Sequence, residues 1–166
     1  MNKTKKIAIS GLLGALALVL AYLEGLLPPL PMMPPGAKPG MSNIVTMFAA
    51  GSIGLPYAVI VALIKGGFAL MTRGAVAGTM SLCGGLLSTF AAWLLFKKTN
   101  VSFIATGMIC ALCHNFAQLM VAMVLTGQAI IYYIPALVFF GVCSGFLTGL
   151  LLKLVYVRLG KMKIQI

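Results

Sequence analysis

Lys65 stands near the middle of a long apolar run. A cation at mid-bilayer depth costs roughly 2.5–3.5 kcal/mol on insertion scales, so it must face protein, water or a ligand. The chemistry open to it is that of a buried point charge, best satisfied by a carboxylate or a phosphate. Glu24 is the single acid in 166 residues, and aspartate is absent. An ion pair from Glu24 to Lys65 or Arg73 would satisfy one cation only, and a bound anion is the other solution. Cys110, His114 and Gln118 recur at i, i+4 and i+8, which puts them on one helix face, with Asn115 beside them. Lys38 and Arg73 lie towards the same outer half, although Arg73 could equally snorkel to the interface. Glu24, Lys38, Asn43, Lys65, Arg73, His114, Asn115 and Gln118 are therefore the candidate substrate-binding residues. The competing structural account is a set of interhelical hydrogen bonds, each worth about 1 kcal/mol.

Two sharper-looking signals carry less. Cys110-Ala111-Leu112-Cys113-His114 matches the C-x-x-C-H haem-attachment string. Attachment needs a segment outside the membrane, whereas this one is mid-span, and cysteine is a common small apolar residue in such helices. A zinc site at Cys110, Cys113 and His114 would need Cys83 and Cys143 to supply the rest. No metal or cofactor is expected. Without aspartate there is no carboxylate set for Mg²⁺ chemistry. Without a G-x-x-x-x-G-K-[ST] loop there is no ATP hydrolysis by this chain. A non-catalytic subunit is expected.

The elements that must hold these residues follow from composition. Hydrophobic residues make up 61% of the chain and charged residues 8%, against about 25% charged in soluble domains. A water-facing surface cannot be covered, so the expected fold class is an all-α membrane protein. Spans of about 20 apolar residues predict six transmembrane helices, at about 7–27, 43–54, 56–73, 79–96, 101–126 and 129–157. Residues 74–78 are read as a break between the third and fourth. The apolar run that opens the chain continues past Ala15-Leu16-Ala17, which favours a retained helix over a cleaved signal. Residues 28–42 carry six of the eight prolines, which predicts a stiff, extended external segment. Ser42 or Asn43 can cap the helix that follows it.

Six spans place both termini on one side. Lys3, Lys5, Lys6, Lys97, Lys98, Lys153, Arg158, Lys161 and Lys163 then share that side, which the positive-inside rule makes cytoplasmic. The net charge of +11 is thus topology and contact with anionic membrane lipid, not nucleic-acid binding. Gly141-xxx-Gly145-xxx-Gly149 is a small-residue stripe for close helix packing, and Gly11-xxx-Ala15 and Ala17-xxx-Ala21 form flat faces on the first helix. Such faces can pack internally or receive a partner.

The segment Ala15 to Met47, with Tyr-Leu-Glu followed by prolines and the loop before Asn43, resembles the Gx transporter family, as does His114 to Ala122 with its His-Asn-x-x-Gln. That family is historically labelled heptaprenyl diphosphate synthase component I and is similar to the substrate-binding S components of energy-coupling factor (ECF) transporters. The resemblance implies a six-helix protein of the bacterial cytoplasmic membrane. Such a subunit captures a scarce small molecule from outside and docks on a transmembrane coupling subunit driven by two cytosolic ATPases. It also implies docking through small residues of the first helix, here Gly11, Ala15, Ala17 and Ala21, and gating by the loop at 28–42. The alternative is a non-transporting membrane subunit of an isoprenoid, quinone or redox complex.

Overall fold

A computed structural model describes residues 2–28, 33–127 and 132–161. Five helices follow in order: α1 (Lys3–Leu26), α2 (Asn43–Ser52), α3 (Leu55–Lys98), α4 (Phe103–Thr126) and α5 (Ile134–Lys161). No strand occurs among the described residues. In lipid every backbone donor and acceptor must be met within the chain, which leaves the helix as the element for such a composition. α1, α3, α4 and α5 are each long and apolar enough to cross a membrane. Leu12, Met71, Val124 and Phe139 are among the large apolar side chains left exposed, as a lipid-facing surface requires.

α3 has 44 residues, roughly 66 Å if it ran straight, twice the thickness of the hydrocarbon core. It does not run straight. Gly74 sits at φ 86° and ψ 176°, outside helical geometry, a conformation that glycine reaches without steric cost. A Cβ on Gly66 would strike Leu82, and one on Gly78 would strike the Leu70 backbone. The two arms therefore fold back against each other as an antiparallel pair. The expected break at 74–78 is confined to Gly74, and the second arm begins before residue 79 because Ala75–Gly78 are helical. Other boundaries differ by a turn. α1 starts at Lys3 rather than 7, and α5 starts at Ile134 after a short 3₁₀ turn. The expected start at 129 lies outside the described residues, as does Lys163.

Helix ends meet at two poles. At one pole Lys6 lies over the Tyr57 ring, 5.7 Å from its centroid. There Tyr156 of α5 stacks on Phe103 at 5.0 Å and lies 5.3 Å from Phe48 and 6.3 Å from Phe96. Its hydroxyl shares a 3.0 Å hydrogen bond with Ser52. The N-termini of α1 and α4 thus join the C-termini of α2, α3 and α5, and Lys3, Lys5, Lys6, Lys97, Lys98 and Arg158 collect at one pole.

Close packing comes from small residues. α1 rests on α3 through Gly14, whose Cβ position is 3.5 Å from Ile64 Cδ1, and Ala17 of the same helix is fully buried in the core. The Gly141–Gly145–Gly149 stripe faces α4. A Cβ on Gly149 would lie 2.6 Å from the Phe103 carbonyl and 2.7 Å from Ile104 Cα. Backbone cannot give way as a flexible side chain does. Gly145→Val should therefore destabilise the bundle by at least about 1–3 kcal/mol, read as a lower unfolding temperature in detergent, whereas Cys143→Ala on the exposed face should leave it unchanged.

Candidate functional site

Residues 33–42 of the proline-rich segment do not form the stiff, extended chain that its composition predicts. Instead they turn inward. Ala37 N–H donates to the Pro34 carbonyl at 3.0 Å, and Gly36 and Gly40 adopt φ of 86° and 78°. Met33 and Ala37 are buried against Met80, Leu119 and Leu137. The two left-handed glycines reverse the chain where proline alone would have kept it straight.

Glu24, buried on α1, anchors this inward turn. Its carboxylate accepts from the backbone N–H groups of Gly40 (2.6 Å), Met41 (3.1 Å) and Ser42 (3.4 Å), and from the Ser42 hydroxyl at 3.0 Å. Three successive amides converging on one anion form a nest, and the negative charge also sits at the N-terminus of α2, where the helix dipole favours it. The only acid of the chain thus closes the loop. It does not pair with Lys65.

Lys65 is 2% exposed and does not snorkel. Its ammonium donates to Asn43 Oδ1, and Gly85 on the other arm of α3 leaves it room, with its Cβ position 3.8 Å from Nζ. His114 lies beside them, between two glycines. A Cβ on Gly40 would fall 2.6 Å from Asn43 Nδ2 and 2.7 Å from the imidazole, and a Cβ on Gly84 would clash with the other edge of the ring. Gln118 Nε2 is 2.8 Å from His114 Nε2. With the amide donating, the ring is the Nδ1–H tautomer, and that edge faces Gly84. Asn43 Nδ2 and Gln118 Oε1 are buried without a hydrogen-bond partner, a costly condition for such groups. The cluster therefore offers an ammonium, two amides and an imidazole, with donors in excess and no carboxylate directed at the ammonium.

The structure brings Glu24, Asn43, Lys65, His114 and Gln118 together around residues 40–42. It places the other candidates elsewhere. Asn115 turns to α5, donating from Nδ2 to the Leu137 carbonyl at 2.7 Å, and borders an apolar groove of about 420 Å³ with Phe116 and Val138. Lys38 donates to the Leu27 carbonyl at 2.6 Å on the outside of the loop, and Arg73 lies half-buried beside Gly25. Of the four small residues of α1, Ala17 is wholly buried in the core and Ala21 half-buried, whereas Gly11 and Ala15 are exposed. Sequence reasoning missed Gly40, Gly84 and Ser42, and also Ser144, whose hydroxyl donates to the Pro39 carbonyl at 3.3 Å. The Gly84-Gly85 pair inside an otherwise helical pattern was the available signal of a close approach. Among the described residues no three His, Cys, Asp or Glu side chains gather as a metal site.

Residues 13–155 match the family model described as heptaprenyl diphosphate synthase component I. No curated protein and no solved structure shows a significant match to the chain.

Proposed function

The chain belongs to the heptaprenyl diphosphate synthase component I family, and from that premise we propose that it is a solute-capturing membrane subunit, the S component of an ECF importer. It takes a small anionic metabolite from outside and docks on a transmembrane coupling subunit. Two cytosolic ATPases then reset it. The observation that supports this reading most is Lys65, a buried cation with an amide for partner, beneath a loop held by Glu24. An anionic group on the solute would supply the missing charge. Because residues 39–42 occupy the space above the cluster, capture requires the loop to lift and re-form.

Counting the two arms of α3 separately, together with the short α2, gives the six embedded segments that an S component has. The basic pole is then cytoplasmic by the positive-inside rule, with both termini there, in a bacterial cytoplasmic membrane. The chain itself is non-catalytic: a prenyl diphosphate synthase centre needs aspartates for Mg²⁺, and there are none.

The deciding experiment is uptake. Cells or proteoliposomes containing the chain, its coupling subunit and both ATPases should accumulate the metabolite that co-purifies with the protein, and only with ATP. A tightly held quinone with no ATP-dependent uptake would instead favour a non-transporting subunit of an isoprenoid or redox complex, which the lipid-facing groove beside Asn115 could serve. For docking, Ala15→Trp adds bulk to the exposed face of α1 and should abolish co-purification with the coupling subunit while leaving the unfolding temperature unchanged. Retention of the complex would move the docking face elsewhere.

A further inference from the structure

Two of the candidate cations, Lys38 and Arg73, lie outside the polar cluster, and both lie against the last turn of α1. Lys38 belongs to the loop and spends one of its three donors on the Leu27 carbonyl. Arg73 closes the first arm of α3, one residue before the Gly74 turn, and its Cδ lies 3.9 Å from the Cβ position of Gly25. Among the described residues no hydrogen bond or ion pair reaches the half-buried Arg73 guanidinium, which carries five donors in a planar fork. It lines a recess of about 190 Å³ with Tyr22, Gly25 and Thr72. The Arg73 charge reaches Lys38. Burial and then the Arg73 charge push the Lys38 pKa below its ordinary value, against an opposing pull from Glu24. The carbonyls at the end of α1 offset part of this positive charge, yet Lys38 takes one of them and Arg73 none.

We propose that Lys38 and Arg73 form an outer anion site that takes a phosphate group and thereby fastens the loop to the tip of α3. The guanidinium fork matches two phosphate oxygens, and the ammonium supplies a point charge to a third. Neutralising both cations removes the repulsion between loop and helix tip, so occupancy favours the inward loop. The phosphate can come from a lipid headgroup or from a soluble molecule. The site lies apart from the Lys65 cluster and stands whether or not that cluster binds a solute.

Hydrogen exchange of the Gly40, Met41 and Ser42 amides reads the state of the loop directly, since all three donate to Glu24. The protein is placed in phosphatidylcholine nanodiscs at constant ionic strength, with chloride as the reference anion. Protection should rise about tenfold, the order expected for one added charged hydrogen bond, on adding inorganic pyrophosphate or on exchanging the lipid for phosphatidylglycerol. A response to pyrophosphate alone identifies a soluble phosphate, and a response to phosphatidylglycerol alone identifies a headgroup. The double variant Lys38→Gln/Arg73→Gln should lose the response to both additions, each read against the variant's own protection in phosphatidylcholine and chloride. Lys153→Gln, distant from the site, should respond as the wild type does. Unchanged protection of the wild type in both arms, or an equal response in the double variant, overturns the proposal.

Discussion

Glu24→Ala should lower the stability of the protein by about 3–5 kcal/mol and release residues 40–42 from the bundle. The basis is the number and kind of donors left behind. Three backbone amides and one hydroxyl converge on the carboxylate, and each buried donor without an acceptor costs about 1–3 kcal/mol. Water entering beside the loosened loop recovers part of that sum. Glu24→Gln separates charge from shape. It keeps one carbonyl acceptor but brings an NH₂ towards donors, so its loss should fall between wild type and alanine. Unfolding in detergent gives the stability, and hydrogen exchange at Gly40–Ser42 gives the release. If the alanine variant unfolds at the wild-type temperature with those amides still protected, the carboxylate is not what holds the loop.

The same residues show how far a sequence can be read. Lys65, Glu24, His114 and Gln118 were legible because each is a local anomaly: a charge inside an apolar run, or a polar stripe at the helical period. The glycine stripe of α5 was legible for the same reason, since spacing alone places 141, 145 and 149 on one face. The proline segment was not. Proline density describes the local backbone, whereas its inward course depends on two left-handed glycines and on a carboxylate sixteen residues earlier. The small faces of α1 were ambiguous in a different way. Residues 15 and 17 differ by about 200° around a helix, so one of them had to face protein and the other lipid, and small size cannot say which. Asn115 follows the same arithmetic. Its neighbour His114 faces the cluster, so Asn115, about 100° away, is turned to α5.

Lys65→Met keeps length and approximate volume while deleting the charge, and it should separate binding from folding. If the ammonium existed only to bond Asn43, its loss would leave Asn43 Oδ1 unpaired at about 1–3 kcal/mol with no compensation. A buried charge carries its own desolvation cost, however, and replacing such groups with apolar ones of similar volume is often neutral or stabilising. The expected result is an unfolding temperature close to wild type. Capture of an anionic solute should fall by about 100-fold or more, as when one partner of a buried charge pair is removed. Mass spectrometry of the small molecules retained through purification measures this whatever the solute is, and Arg158→Ala at the basic pole serves as the control. Equal retention in the methionine and Arg158 variants would show that the ammonium of Lys65 does not receive the ligand. A steep loss of stability in the methionine variant would assign Lys65 to the fold and leave the anionic character of the solute without support.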